Sequence, residues 1–334
     1  MGATQRVTVA FQTDKPLRAY GPLAATAERY GFDGVTVYND MLYQPAWLPL
    51  LEMARATSRV QIGVAAVNPF TCHPINIAGN IALIDEASQG RAYLGLARGG
   101  WLDFVGVEPA RPVTALREAF ASVRHLLRQS TAPYPGVCFP LAGGDTLRWS
   151  ILRPELPFLL GSWGAATIRA CIGEIAEIKI GGSATPAVLP HFRQILDEAC
   201  RANGRAARDV GIAIGAVCVV DEDGAAARAY VKREVALYLP IVAALDPTVD
   251  LDPALLQQLR AAADRYDFDG AAALISDELL ARFAFAGTPE EVANHAQALF
   301  AAGADRVEFG TPHGLTSEHG LRLLGENVLP ALRR

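Results

Sequence analysis

A chain of 334 residues that is 51% hydrophobic and 19% charged can bury a large core and is too apolar to stay disordered. Its formal net charge of −5 offers no basic field for nucleic acid or for an anionic membrane surface. Five scattered cysteines with no C-x-x-C pair, and an N-terminus without a long apolar core, fit a reduced cytoplasmic protein and not a disulfide-stapled secreted one.

In chain order, short β-branched runs alternate with amphipathic helical stretches. "RVTVAFQT" (6–13) precedes "AYGPLAATAERYG" (19–31), and "FDGVTVYND" (32–40) precedes "AWLPLLEMARATS" (46–58). "VQIGVAAV" (60–67) leads to "INIAGNIALIDEAS" (75–88), and "RAYLGLARG" (91–99) to "RPVTALREAFASVRHLLRQ" (111–129), where Pro112 suits a first helical turn. "PFLLGSWG" (157–164), "AATIRACIGEIA" (165–176), "EIKIGGS" (177–183) and "VLPHFRQILDEACRAN" (188–203) continue the rhythm. "VGIAIGAVCVV" (210–220) makes a seventh strand and "DRVEFGTPHG" (305–314) an eighth, before a last helix over 317–334. Residues 60–84 lack charge, yet Gln61, Asn68, His73 and two prolines disqualify them as a membrane span.

Eight strand–helix units with nearly continuous apolar strands predict a parallel sheet covered by helices. Closure into one (β/α)8 TIM barrel over 1–334 fits the count and the length, with a doubly wound open sheet as the alternative. Two excursions interrupt the pattern. Residues 130–156 follow the fourth helix and predict a hairpin-like detour. Residues 221–286 leave the C-terminal end of the seventh strand, the active-site face of a barrel, and are a candidate lid.

Barrel logic selects the residues just after each strand: Gln12, Asn39, Asp40, Ala65, Ala66, Val67, Asn68, Arg98, Gly99, Ser162, Trp163, Gly164, Gly181, Gly182 and the stretch 310–314. Small residues dominate, so a flat ligand can lie close to backbone. "GSWGAA" (161–166) and "GGS" (181–183) are adjacent glycine turns able to cradle phosphate, although tight barrel turns need glycine anyway. No P-loop, no Rossmann G-x-G-x-x-G between strand and helix, and no G-x-S-x-G elbow occurs. His313 and His319 flank a turn with no evident third ligand, so no metal is expected. His73 reads as a helix cap. Lys179 and Glu308 interrupt apolar strands and read as an interior ion pair, while Arg91 and Glu118 read as structural.

The order "VNPFTCHP", "IDEASQGRAYLGLARGG" and "VEFGTPHGL…LLGENVLPAL" resembles the luciferase-like flavin and deazaflavin oxidoreductases over almost the full chain. The likeness is greatest to the branch containing methylenetetrahydromethanopterin reductase, which uses coenzyme F420. The resemblance implies a (β/α)8 barrel with the cofactor ring at its C-terminal mouth, backed by a bulge with a non-prolyl cis peptide at Ala65–Ala66. It implies roles near ring and substrate for Asn39 and Asp40, where the family often has Asp-His. Cofactor contacts would come from Gln12, Val67, Asn68, Arg98 and Gly99, and a phosphate cradle from Ser162, Trp163, Gly164, Ala165, Gly181 and Gly182. The implied activity is hydride transfer between F420 and a small organic substrate, in a homodimer packed through helices near strands two to four. An FMN-dependent monooxygenase and a non-catalytic flavin-binding barrel are the alternatives.

Overall fold

The computed structural model describes residues 5–334 and contains nine parallel strands. They are β1 (Arg6–Phe11), β2 (Gly34–Val37), β3 (Gln61–Val67), β4 (Ala92–Ala97), β5 (Phe158–Gly161), β6 (Glu177–Gly181), β7 (Gly211–Val220), β8 (Ala284–Gly287) and β9 (Arg306–His313). Neighbouring pairs run β1 through β7 in order, and β9 pairs with both β7 and β1. Eight strands therefore close a barrel, the (β/α)8 fold expected from the sequence. The ninth, β8, pairs with Val217–Val220, continuing the edge of β7 beyond the reach of β6. It lies inside the second excursion and was not foreseen: Ala-Phe-Ala-Gly has no β-branched residue to mark it.

The helices are α1 (Tyr20–Tyr30), α2 (Trp47–Ala56), α3 (Pro74–Ala87), α4 (Pro112–Leu127), α5 (Ala165–Cys171) and α6 (Val188–Ala202), followed by α7 (Gly224–Val235), α8 (Leu239–Ala243), α9 (Pro253–Asp264), α10 (Phe268–Leu274) and α11 (Asp277–Leu280). Then come α12 (Pro289–Ala301), α13 (Ser317–Leu323) and α14 (Leu329–Leu332). Starts follow local chemistry. His73 Nδ1 accepts from Ile75 N–H with Pro74 in the first turn of α3, and Thr288 and Glu291 form a reciprocal capping box on α12. No helix among the described residues is long and apolar enough to cross a membrane.

The first excursion makes one antiparallel bridge, Tyr134 to Leu141. Glu118 of α4 accepts hydrogen bonds from Cys138 and Phe139 N–H at 2.6 and 3.2 Å, and Arg153 binds Asp85 of α3. Glu118 is thus structural, as is Arg91, whose guanidinium donates to the carbonyls of Ala54, Thr57, Val60 and Ser88. The second excursion comprises α7 to α11 and β8, with its own apolar cluster around Val231, Leu239, Leu259 and Phe283.

Candidate active site

Strand side chains alternate between the two faces of a barrel wall, so every second residue points inward. Inside the lower barrel those positions carry Arg6, Glu177, Arg306, Glu308, Lys179, Thr8, Thr36 and Tyr93. Arg306 bridges Glu177 at 2.7 Å and Glu308 at 3.2 Å, Thr36 donates to Glu308 at 2.6 Å, and Lys179 pairs with the other Glu308 oxygen. Burial alone would raise the Glu308 pKa, but the Lys179 ammonium and the Arg306 guanidinium outweigh it and hold the carboxyl below its ordinary range. The polar barrel layer expected from Lys179 and Glu308 is present.

Above this layer the inward positions shrink. A cavity of about 430 Å³ opens at the C-terminal mouth, over Ala65, Ala66, Ala97, Gly161, Gly181 and Gly215. Its size falls in the usual range for small-molecule sites. Tyr38, Asp40, Ser162, Trp163 and Lys179 supply its polar groups, while Trp101, Tyr238 and Val242 wall it, the last two from the second excursion. β3 bulges here, because Val64 pairs with Leu94 but Val67 with Leu96, and the Ala65–Ala66 peptide is cis. Gly95 makes the bulge possible, since a side chain there would overlap the Val64 carbonyl oxygen.

The predicted site residues divide. Ala65, Ala66, Asp40, Ser162, Trp163, Gly181 and Gly182 line the cavity. Gln12 does not, but its Nε2 donates to Asp40 Oδ2 at 2.9 Å and so orients that carboxylate. Asn39 turns away, its Oδ1 accepting from Ala46 N–H at 3.0 Å ahead of α2. Val67 is buried in the core, and Asn68 Oδ1 closes the following turn on the N–H groups of Phe70 and Thr71. Arg98 and Gly99 line a neighbouring depression of about 500 Å³ formed by residues 98–109, which shares only Trp101 with the cavity. Gly164 and Ala165 do not line the cavity either. The Gly164 N–H donates to Ser162 Oγ, and α5 ends at Cys171, five residues short of the predicted helix.

Sequence reasoning missed Tyr38, Ala97, Trp101, Gly215, Tyr238 and Val242. Gly215 carried a usable signal: a glycine inside an apolar strand marks a close approach. Tyr38 is half-buried at the cavity wall, and loss of water around it, with help from nearby Glu308, pushes its phenol well above the ordinary range, so it remains a neutral donor. Away from the cavity, His319 meets Asp221 and Glu222, a grouping the sequence did not bring together. Arg322 approaches the same Glu222 at 3.8 Å, which makes this a partly exposed ion-pair cluster.

A sequence profile described as luciferase-like monooxygenase matches residues 3–306. The chain belongs to this family. Among curated luciferase-like relatives, 5,10-methylenetetrahydromethanopterin reductase of Methanopyrus kandleri is 27% identical over 339 residues, covering 95% of each chain. Its namesake from Archaeoglobus fulgidus is 26% identical over 92% of this chain and 93% of its own. In structure, the coenzyme F420-dependent tetrahydromethanopterin reductase of Methanopyrus kandleri superposes with a TM-score of 0.90 at 24% identity, over 99% of this chain and 100% of that one. An F420-dependent secondary alcohol dehydrogenase, solved with an F420–acetone adduct, gives a TM-score of 0.79 at 17% identity over 99% of this chain and 100% of its own.

Proposed function

We propose that this luciferase-like protein is a coenzyme F420-dependent oxidoreductase that moves a hydride between the deazaflavin and a small organic substrate. The observation that carries this reading is the near full-length match to the reductase of Methanopyrus kandleri. The cavity fits the cofactor. Side chains that end at Cβ or Cα, at Ala65, Ala66, Ala97, Gly161 and Gly181, leave a flat floor for a planar ring. Bound there, the cofactor supplies hydride-transfer chemistry, and the protein supplies orientation and electrostatics.

In this reading Ala65 and Ala66 back the ring. Ser162, Trp163, Gly181 and Gly182 receive the phosphate-bearing tail, with Trp163 steadied by its Nε1 bond to the Gly181 carbonyl at 3.2 Å. Asp40, held by Gln12, is the carboxylate placed to hold or move a proton beside the substrate. Tyr238 and Val242 wall the cavity from the second excursion.

We further propose one barrel unit acting as a cytoplasmic homodimer, with neither nucleic acid nor membrane as partner. Five unpaired cysteines support a reducing compartment. Leu48 of α2 and Ile75 and Leu83 of α3 are all roughly half exposed, which supports a subunit contact through these helices, although Trp149 of the first excursion covers Gly79. Light scattering at micromolar concentration should give twice the 35.6 kDa chain mass, and a mass of one chain refutes the dimer. For the cofactor, fluorescence titration should show stoichiometric F420 binding. Stoichiometric FMN retained through purification, with no deazaflavin affinity, sinks the F420 reading in favour of an FMN monooxygenase.

A further inference from the structure

Among the described residues Asp40 and Lys179 are the only charged side chains lining the cavity, and the reading above leaves Lys179 without a task. Lys179 stands on β6 one inward step below Gly181, in register with Gly161 of β5 and Ala213 of β7. A Cβ at Gly215 would come within 2.9 Å of Lys179 Cε, so the lysine stem fills the room that this glycine leaves. The ammonium ends beside Glu308 and 4.9 Å from the centre of the Tyr38 ring, whose face attracts a cation.

An ammonium carries three N–H donors and no acceptor. Among the described residues Glu308 is the only hydrogen-bond acceptor found for it. Glu308 does not depend on Lys179 alone, because Arg306 and Thr36 already bind its second oxygen at 3.2 and 2.6 Å. From the barrel bottom upward, Arg6, Glu177, Arg306, Glu308 and Lys179 alternate in sign through successive ion pairs. Three cations thus face two carboxylates, and the run ends at the cavity on a cation. Arg6 is one-third exposed at the far end, so solvent screens its charge and not that of Lys179.

We propose that the Lys179 ammonium recognises negative charge on an oxygen at the edge of the cofactor ring, and so makes the protein bind reduced cofactor in preference to oxidised. This inference rests on the F420 reading above. A flavin-type ring that has accepted a hydride is more electron-rich along its carbonyl-bearing edge. A cation fixed on a side chain that is nine-tenths buried stabilises that form without reorganising. The lysine therefore biases the direction of hydride transfer.

The test measures dissociation constants for oxidised and reduced F420 separately, by fluorescence quenching and by anaerobic equilibrium dialysis. Lys179→Met should weaken the reduced form at least tenfold more than the oxidised, and Lys179→Arg should keep most of the preference. A tenfold change in that ratio corresponds to about 30 mV in the bound two-electron potential, a readout independent of turnover. The pair Lys179→Met with Glu308→Gln removes the carboxylate that loses its ammonium partner in the single variant, and should lose the same preference. The wild type gives a check that needs no variant: bound reduced cofactor should ionise at least one pH unit below free cofactor in an absorbance titration. Equal weakening of both forms, or no change in either, overturns the proposal, including the case where the ammonium serves a substrate carboxylate. If the wild type binds neither form of F420, the functional reading itself falls, and this inference with it.

Discussion

The lower and upper levels of the barrel interior are built on the same strands and differ by one inward step. Lys179 gives way to Gly181, Glu308 to Gly310, Thr8 to Ala10 and Tyr93 to Gly95. Below, long side chains meet in a largely buried network of ion pairs and hydrogen bonds. Above, Gly181, with Ala65, Ala66, Ala97, Gly161 and Gly215, leaves a cavity, while Gly95 and Gly310 make room for the Val64 carbonyl and the Tyr38 hydroxyl. The void is therefore written in side-chain length, together with the bulge of β3 at Ala65 and Ala66. Stability should be concentrated in the lower level and ligand affinity in the upper one.

Glu308→Ala tests the lower level with the largest expected effect. It strands the buried Lys179 ammonium and leaves Arg306 with Glu177 alone, and breaking such a buried pair costs about 3–5 kcal/mol. Urea unfolding should show a loss of that order, and a loss below about 1 kcal/mol breaks the comparison. The sign with pH follows from the depressed carboxyl. Its contribution is complete above the ordinary carboxylate range and is lost as pH falls through the lowered value.

β9 also carries the opposite solution for a titratable group. His313 is buried, packs edge-on against Phe11, and neither ring nitrogen has a hydrogen-bond partner among the described residues. Burial pushes its pKa down to about 4, so it is neutral in the folded protein where the unfolded chain would protonate it. Its stabilising effect is present above the ordinary histidine range near 6.5 and is lost as pH falls toward about 4. Complete loss corresponds to about 3 kcal/mol. Denaturation of wild type and His313→Leu across this window should show the variant losing less; parallel losses remove His313 from the account.

In the upper level, Ala65→Leu places a branched side chain on the floor. Cofactor affinity should fall at least a hundredfold, about 2.7 kcal/mol. Unfolding free energy should change by less than about 1 kcal/mol, because Ala65 lines a cavity and not a packed layer. A large stability loss with intact binding would invert the assignment of the two levels.

The parts of this design that repeat were legible in the sequence. Period-two runs such as "EIKIGG" and "RVEFG" placed both the charges and the glycines after them, and the strand count implied closure. Asp40, Ala65, Ala66 and the turns at 161–163 and 181–182 followed from barrel logic. What stayed hidden depends on side-chain direction across long separations. Asn39 and Asp40 are neighbours, yet one closes a loop and the other faces the cavity. Tyr238 and Val242 arrive from a helical excursion whose packing no local pattern announces. β8 was invisible because its four residues satisfy an edge of β7 without strand-forming side chains.

The smallest expected effects separate two glycines that pair in register on the floor, Gly181 and Gly215. At Gly215 an added Cβ meets Lys179 Cε at 2.9 Å and Glu308 Oε1 at 3.3 Å. The contact is with the end of a flexible stem, so Gly215→Ala should shift the ammonium for about 1 kcal/mol, near the lower end for overpacking. At Gly181 an added Cβ meets nothing within 4 Å. Gly181→Ala should therefore leave unfolding within about 0.5 kcal/mol of wild type, since the lower unfolded-state entropy of alanine offsets any small local cost. The same methyl enters the space proposed for the cofactor and should still weaken F420 binding measurably. Paired urea unfolding and fluorescence titration of the two variants decide the point. If Gly181→Ala costs more than Gly215→Ala in stability, the upper level is a packed part of the fold and not an open floor.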